Sequence, residues 1–186
     1  MTGTDDPEAP PPSAEGFVPD HPEVRAFWER ARVHARLNVA PTYFGPTTLE
    51  VVPPPAWSFG STPEQADALL ALVLDGTKTA TASAAEEYGE EPLPRPGQLG
   101  ILLDGRGRPR ALVETTAVEV VAFDRVDAEH ARLEGEGDRS LAHWREVHER
   151  FFAETAGPGR GFEPSMPVVL ERLRVVWAEP DGPGGR

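Results

Sequence analysis

The hydrophobic period of this chain changes at Gly76, and that change restricts it to a mixed fold. Before it, Ala66, Leu69, Leu70, Val73 and Leu74 recur at helical intervals. Thr62, Pro63 and Gln65 announce that helix: a capping hydroxyl, a proline where the missing N–H costs nothing, and an amide placed to cap back. Gly76 supplies its left-handed stop. After it, Thr79 to Ser83 alternates Thr with Ala, Leu99 to Leu103 is apolar, Asp104-Gly-Arg-Gly makes a turn, and Ala111 to Phe123 is rich in Val and Thr. These segments read as a strand meander. A short helix over Ala128 to Leu133 follows. Leu141, Trp144, Val147, His148, Phe151 and Phe152 then mark a longer one, and Val168 to Trp177 is a closing strand. Strands of mixed length with helices inserted between them predict an α+β domain built round a small mixed β-barrel.

Upstream, Asp20 and Glu23 have capping-box spacing, and Val24, Phe27, Trp28, Ala31 and Ala35 form the apolar stripe of a first helix that ends before Pro41. Five prolines between Ala40 and Phe59 make that stretch a long ordered loop, with a short edge strand at Thr48 to Val52. Residues 1–18 are rich in Pro, Asp and Glu and lack core formers, so they read as a disordered arm whose removal leaves folding intact. Residues 180–186 read as a flexible tail. Between them, 19–179 form one domain.

Composition narrows the function classes. With 18 Lys and Arg against 31 Asp and Glu, the net charge of −13 argues against a broad basic surface for long nucleic acids and favours a small ligand. The chain has no cysteine, which excludes disulfides, thiolate metal sites and cysteine nucleophiles. No apolar run approaches the roughly 20 residues of a membrane span. The first residues lack the basic and apolar regions of a secretion signal, so a cytoplasmic location is expected.

Several segments, in this order, resemble the ASCH domain family of the PUA-like superfamily, in its larger bacterial branch. They are Gly76-Thr-Lys78-Thr-Ala-Thr81 after a Leu-rich helix, Leu-Pro-Arg-Pro-Gly97 running into a strand, Val-Glu-Thr-Thr-Ala-Val-Glu-Val-Val-Ala-Phe123, and Glu134-Gly-Glu-Gly-Asp-Arg-Ser-Leu-Ala-His-Trp144. The resemblance spans about Trp57 to Trp177. It implies a PUA-like barrel with a cleft beside the Gly-x-Lys-x-x-Thr segment. It also implies action on RNA or modified nucleosides, as a hydrolase of the N4-acetylcytidine amidohydrolase type. The alternatives are a ribonuclease for single-stranded RNA and a non-catalytic RNA-binding module.

On this reading Lys78, Thr81 and Glu134 are the catalytic candidates. A partly desolvated Lys78 amine would act as base. Thr81 would be nucleophile or water holder, although a regular strand sends residues three apart to opposite faces, so the chain must bend between the two. Glu134 ends a His130-Ala-Arg-Leu-Glu134 run like one in the amidohydrolase branch and would shuttle protons. Trp57 and Tyr88 are candidates to stack on a base. Ser83 stands where that branch resembles an arginine. Arg139 is expected to pair with Glu134 or Glu136 or to face the ligand. No cofactor or metal is expected. Glu134, Glu136 and Asp138 alternate as if to hold a cation but lack the longer ligand array of a calcium loop, and His143 and His148 are five apart, which does not set them on one helix face.

Overall fold

The computed structural model describes residues 21–35, 37, 52–155 and 161–180. The expected N-terminal arm, Asp20, residues 48–51 of the expected edge strand and residues 181–186 lie outside them. Helix α1 spans Pro22–His34, strand β1 Ala56–Trp57, helix α2 Pro63–Leu74 and strand β2 Ala80–Ala84. Strands β3 (Leu99–Leu103) and β4 (Pro109–Ala122) form a hairpin. Helices α3 (Ala128–Glu134) and α4 (Leu141–Thr155) follow, and β5 (Pro167–Ala178) completes the fold. No described helix is long and apolar enough to cross a membrane.

The helix starts follow their capping chemistry. Thr62 Oγ1 accepts the Gln65 N–H at 3.2 Å, with Pro63 in the first turn. The Gln65 side chain reaches past the cap to accept the Ser61 N–H at 2.8 Å. Thr62→Ala is expected to cost about 1 kcal/mol, read as a lower urea midpoint at unchanged slope. In α1 the observed N-cap is His21, whose ring nitrogen accepts the Glu23 N–H at 3.4 Å.

The strands form one five-stranded sheet in the order β1-β3-β4-β5-β2. The β1–β3 pair is parallel and the other pairs are antiparallel. This corrects two expectations. The strands are not a simple meander, because β2 crosses the fold to pair with β5, nor do they close into a barrel. Closure requires the two edge strands to pair, and here β1 and β2 lie at opposite ends of the sheet with no ladder between them among the described residues. The long strands β4 and β5 curve instead, through register shifts at Leu112/Val113 and Thr115/Ala117.

Both faces of the sheet centre are covered. Ile101 and Leu103 of β3, with Leu112 of β4, pack against Val24, Phe27, Trp28 and Ala31 of α1. Their alternating neighbours Leu102, Ala111 and Val113 pack against Leu70 and Val73 of α2. This two-sided burial explains why β3 is continuously apolar rather than alternating. A third cluster joins α3 and α4 to Ala84, Val168 and Leu170 through Phe123, Trp144 and Phe152. The site lies where this cluster meets α2 and β2.

Candidate functional site

Lys78 is placed by the end of α2. Gly76 takes a left-handed φ of +81°, and the Lys78 N–H donates to the Leu72 carbonyl at 2.8 Å. The next N–H, of Thr79, donates to Leu133 O at 2.8 Å while the Thr79 carbonyl accepts the Leu173 N–H of β5 at 2.8 Å, so the chain passes from α3 to the sheet at this residue. Strand alternation therefore begins only at Ala80. This supplies the bend that lets Lys78 and Thr81 line one cavity.

Glu134 ends α3, which starts where Asp127 accepts the His130 N–H at 2.8 Å. Gly135 then turns left-handed at φ +76° and packs directly on Thr77. The result is a short-range pair from residues far apart in sequence: Lys78 Nζ donates to Glu134 Oε2 at 2.9 Å and to Glu136 Oε1 at 2.7 Å. The ammonium also sits 5.3 Å from the Phe59 ring centroid. Glu134 Oε1 accepts from Trp144 Nε1 at 2.7 Å and from His130 Nε2 at 3.0 Å. Lys78 and Glu134 are 2% and 1% exposed, so their desolvation is compensated only by one another and these hydrogen bonds.

The charges around Lys78 set its protonation state. Burial alone would lower its pKa and free the amine as a base. The Glu134 and Glu136 charges more than offset that, and the pKa is raised above the ordinary 10.5. Lys78 is therefore an ammonium at the buried base of the cavity. Burial pushes Glu134 up, but Lys78 and the His130 hydrogen bond pull it far below the ordinary 4.5, so it is a carboxylate. His148 is held below its ordinary 6.5 by burial, despite Glu134 and Glu136. Its Nδ1 lies 3.0 Å from the Trp144 carbonyl and must donate to it, which leaves Nε2 unprotonated in the neutral ring, 3.5 Å from Glu134 Oε1.

The cavity above the pair has a volume of about 720 Å³, within the range of small-molecule sites. Trp57 belongs to β1 rather than to a loop, and its indole lies on Gly100, where a Cβ would come within 2.0 Å of the ring. Tyr88 sits in a 3-10 turn, and its hydroxyl is 2.9 Å from that of Ser83. Trp57, Ser83 and Tyr88 all line the cavity with Lys78, Thr81 and Glu134. Arg139 does not, which corrects its expected place. It is exposed, its backbone turns left-handed at φ +63°, and its Nε donates to Arg132 O at 3.2 Å.

Reading along the sequence missed three features. Glu136 is a second anchor of Lys78, Trp144 and His148 enclose Glu134, and Glu171 of β5 faces the cavity opposite Thr81. The spacing of four between His130 and Glu134 was the one local signal of the network. The cation idea fails on geometry, since Glu134 and Glu136 bracket Lys78 and Asp138 accepts the Ser140 N–H at 2.8 Å. No group of three or more His, Asp or Glu side chains among the described residues is placed to hold a metal ion.

Fold and site together define a small α+β domain with a buried ammonium–carboxylate pair at the base of a small-molecule cavity. The chain belongs to the ASCH domain family, whose model matches residues 55–177. It is similar to the crystal structure of an ASCH domain from Lactobacillus crispatus JV V101, at 35% identity and a TM-score of 0.62, over 65% of this chain and 78% of that one. It is also similar to a protein from Enterococcus faecalis V583, at 34% identity and a TM-score of 0.70, over 82% of this chain and 87% of that one. No curated protein matches the chain.

Proposed function

We propose that this protein is an amidohydrolase that removes the acyl group from a small N4-acylated cytidine. The observation that carries the reading is Lys78, an ammonium fixed by Glu134 and Glu136 in a cavity that also holds the Thr81 hydroxyl. In this reading the ammonium sits where the acyl oxygen gains negative charge, the largest electrostatic demand of amide hydrolysis. Thr81 holds the attacking water. Glu136, the more open of the two carboxylates at 25% side-chain exposure, takes one water proton as the oxygen attacks the acyl carbon. When the C–N bond breaks, that proton passes to the leaving N4 amine, and the other stays with the carboxylic acid product. Glu134 positions Lys78 throughout.

The lining supports a nucleoside over a polynucleotide. Glu87, Glu91, Glu134, Glu136, Glu154 and Glu171 face the cavity against two cations, Lys78 and Arg150. A phosphate backbone would be repelled there, whereas Trp57 and Tyr88 offer faces on which a neutral base can stack. The test is incubation of the full chain with N4-acetylcytidine, read by mass spectrometry, beside single-stranded RNA read on a gel. Conversion to cytidine is expected, slowed about a hundredfold by Glu136→Gln. Absence of conversion, or cleavage of the RNA instead, overturns the proposal.

A further inference from the structure

Gly100 lies within β3, buried and paired with Val113 across the hairpin. It is not one of the glycines with positive φ, so the strand backbone there would accept any residue. Glycine weakens a strand interior, and one reason to find it there is the close approach of another group. That group is Trp57. The register partner of Trp57 is Leu102, which shares a sheet face with Gly100, so the indole runs back along β3 on the side that lines the cavity. A Cβ on Gly100 would lie 2.0 Å from both Cζ3 and Cη2 of the indole but 3.4 Å from Cε3. Those distances put it in the ring plane, just beyond the Cζ3–Cη2 bond, because a ring lying flat over that position would bring Cε3 in much closer. The indole therefore stands edge-on to the strand, and Gly100 covers neither of its faces.

From this geometry we infer that Gly100 is a positioning residue: it seats Trp57 upright as the wall on which the base of the ligand stacks, and so fits the cavity to a planar aromatic ring. The inference rests on the hydrolase reading and adds to it what holds the base. Trp57 packs against the cluster of Phe59, Leu70 and Leu102 and also lines the cavity, so one indole face meets the core and the other is left to a ligand. Phe59, two residues further on, has the Lys78 ammonium 5.3 Å from its ring centroid, which sets the wall beside the reacting end of the cavity. Tyr88 does not complete a sandwich with Trp57. Its hydroxyl lies 2.9 Å from that of Ser83 in β2, and β1 and β2 are opposite edges of the sheet. A single base stacks on one of the two rings, and the indole is the one the fold has made room for.

The experiment measures binding of cytidine, which is not consumed, to the full chain by calorimetry, with a urea midpoint taken for every variant. Trp57→Leu keeps apolar bulk but has no π-face, and it is expected to weaken binding by about tenfold or more. Gly100→Ala is expected to weaken binding as well, because its methyl group drives the indole out of place. In the double variant Gly100→Ala/Trp57→Phe the shorter phenyl ring clears that methyl, so binding recovers to the level of Trp57→Phe alone. A purely structural role for Gly100 would lower the urea midpoint of Gly100→Ala and leave its cytidine affinity where it was. That result overturns the inference, as does a double variant that binds no better than Gly100→Ala. If Gly100→Ala does not fold, unchanged affinity in Trp57→Leu, or a double variant that binds more weakly than Trp57→Phe, overturns it. A wild type that binds no cytidine overturns it too, whereas the hydrolase reading stands or falls on the conversion of N4-acetylcytidine.

Discussion

Replacing Lys78 with methionine is expected to lower stability by about 3–5 kcal/mol, because it strands the Glu134 carboxylate in a nearly water-free site. On the proposed mechanism, turnover should fall by roughly a hundredfold or more, as the charge facing the developing oxyanion is lost. Urea denaturation and deacylation assays read the two effects separately. The pH dependence follows from the directions of the shifts. The folded pKa of Glu134 is depressed, so its contribution is complete above the ordinary 4.5 and is lost as pH falls toward the folded value. The folded pKa of Lys78 is raised, so its contribution is complete below the ordinary 10.5 and is lost as pH rises through the higher folded value. The difference in stability between wild type and Lys78→Met should therefore be largest between those limits and shrink on both sides, on the acid side beginning above 4.5, because burial without the Lys78 charge raises the Glu134 pKa in the variant. A difference that stays constant as pH falls below 4.5 would show that the pair is not coupled in this way.

Gly135→Ala should damage the site without touching a charged group. At φ +76°, any side chain there is strained by about 1–2 kcal/mol. The added Cβ would also lie 2.6 Å from the Thr77 carbonyl oxygen, a backbone atom that cannot swing aside. Relieving that overlap costs about 1–3 kcal/mol more and moves the Thr77–Lys78 segment away from Glu134. Turnover should fall by about a hundredfold for a displacement of this kind. Gly76→Ala is the matched control: φ is +81°, yet nothing lies within 4 Å of its Cβ, so it bears the backbone strain alone. Equal losses of stability and turnover in the two variants would remove the packing argument.

The candidate site is partly legible in the sequence. Lys78, Thr81 and Glu134 were readable as a set through the family resemblance, and Lys78 and Glu134 do meet at 2.9 Å. The charge state of Lys78 was not readable. Its sign depends on whether burial or neighbouring carboxylates prevail, and the deciding partners are 56 and 58 residues away. Arg139 misled for the opposite reason. It is adjacent to the acidic loop in sequence, but its left-handed backbone and the Arg132 carbonyl turn its guanidinium toward the end of α3.

What the sequence determined by itself is local. The switch of period at Gly76, the Thr62-Pro63 start, the apolar run at Leu99–Leu103 and the lack of thiols follow from backbone and side-chain chemistry within a few residues. Tertiary structure alone decided that β2 pairs with β5, that the sheet stays open, and that Glu171 comes to face Thr81. Strand pairing is chosen by the burial of whole faces across the chain, and a side chain's partner and protonation state are set by what those faces bring within hydrogen-bonding distance. Neither quantity is carried by any one segment.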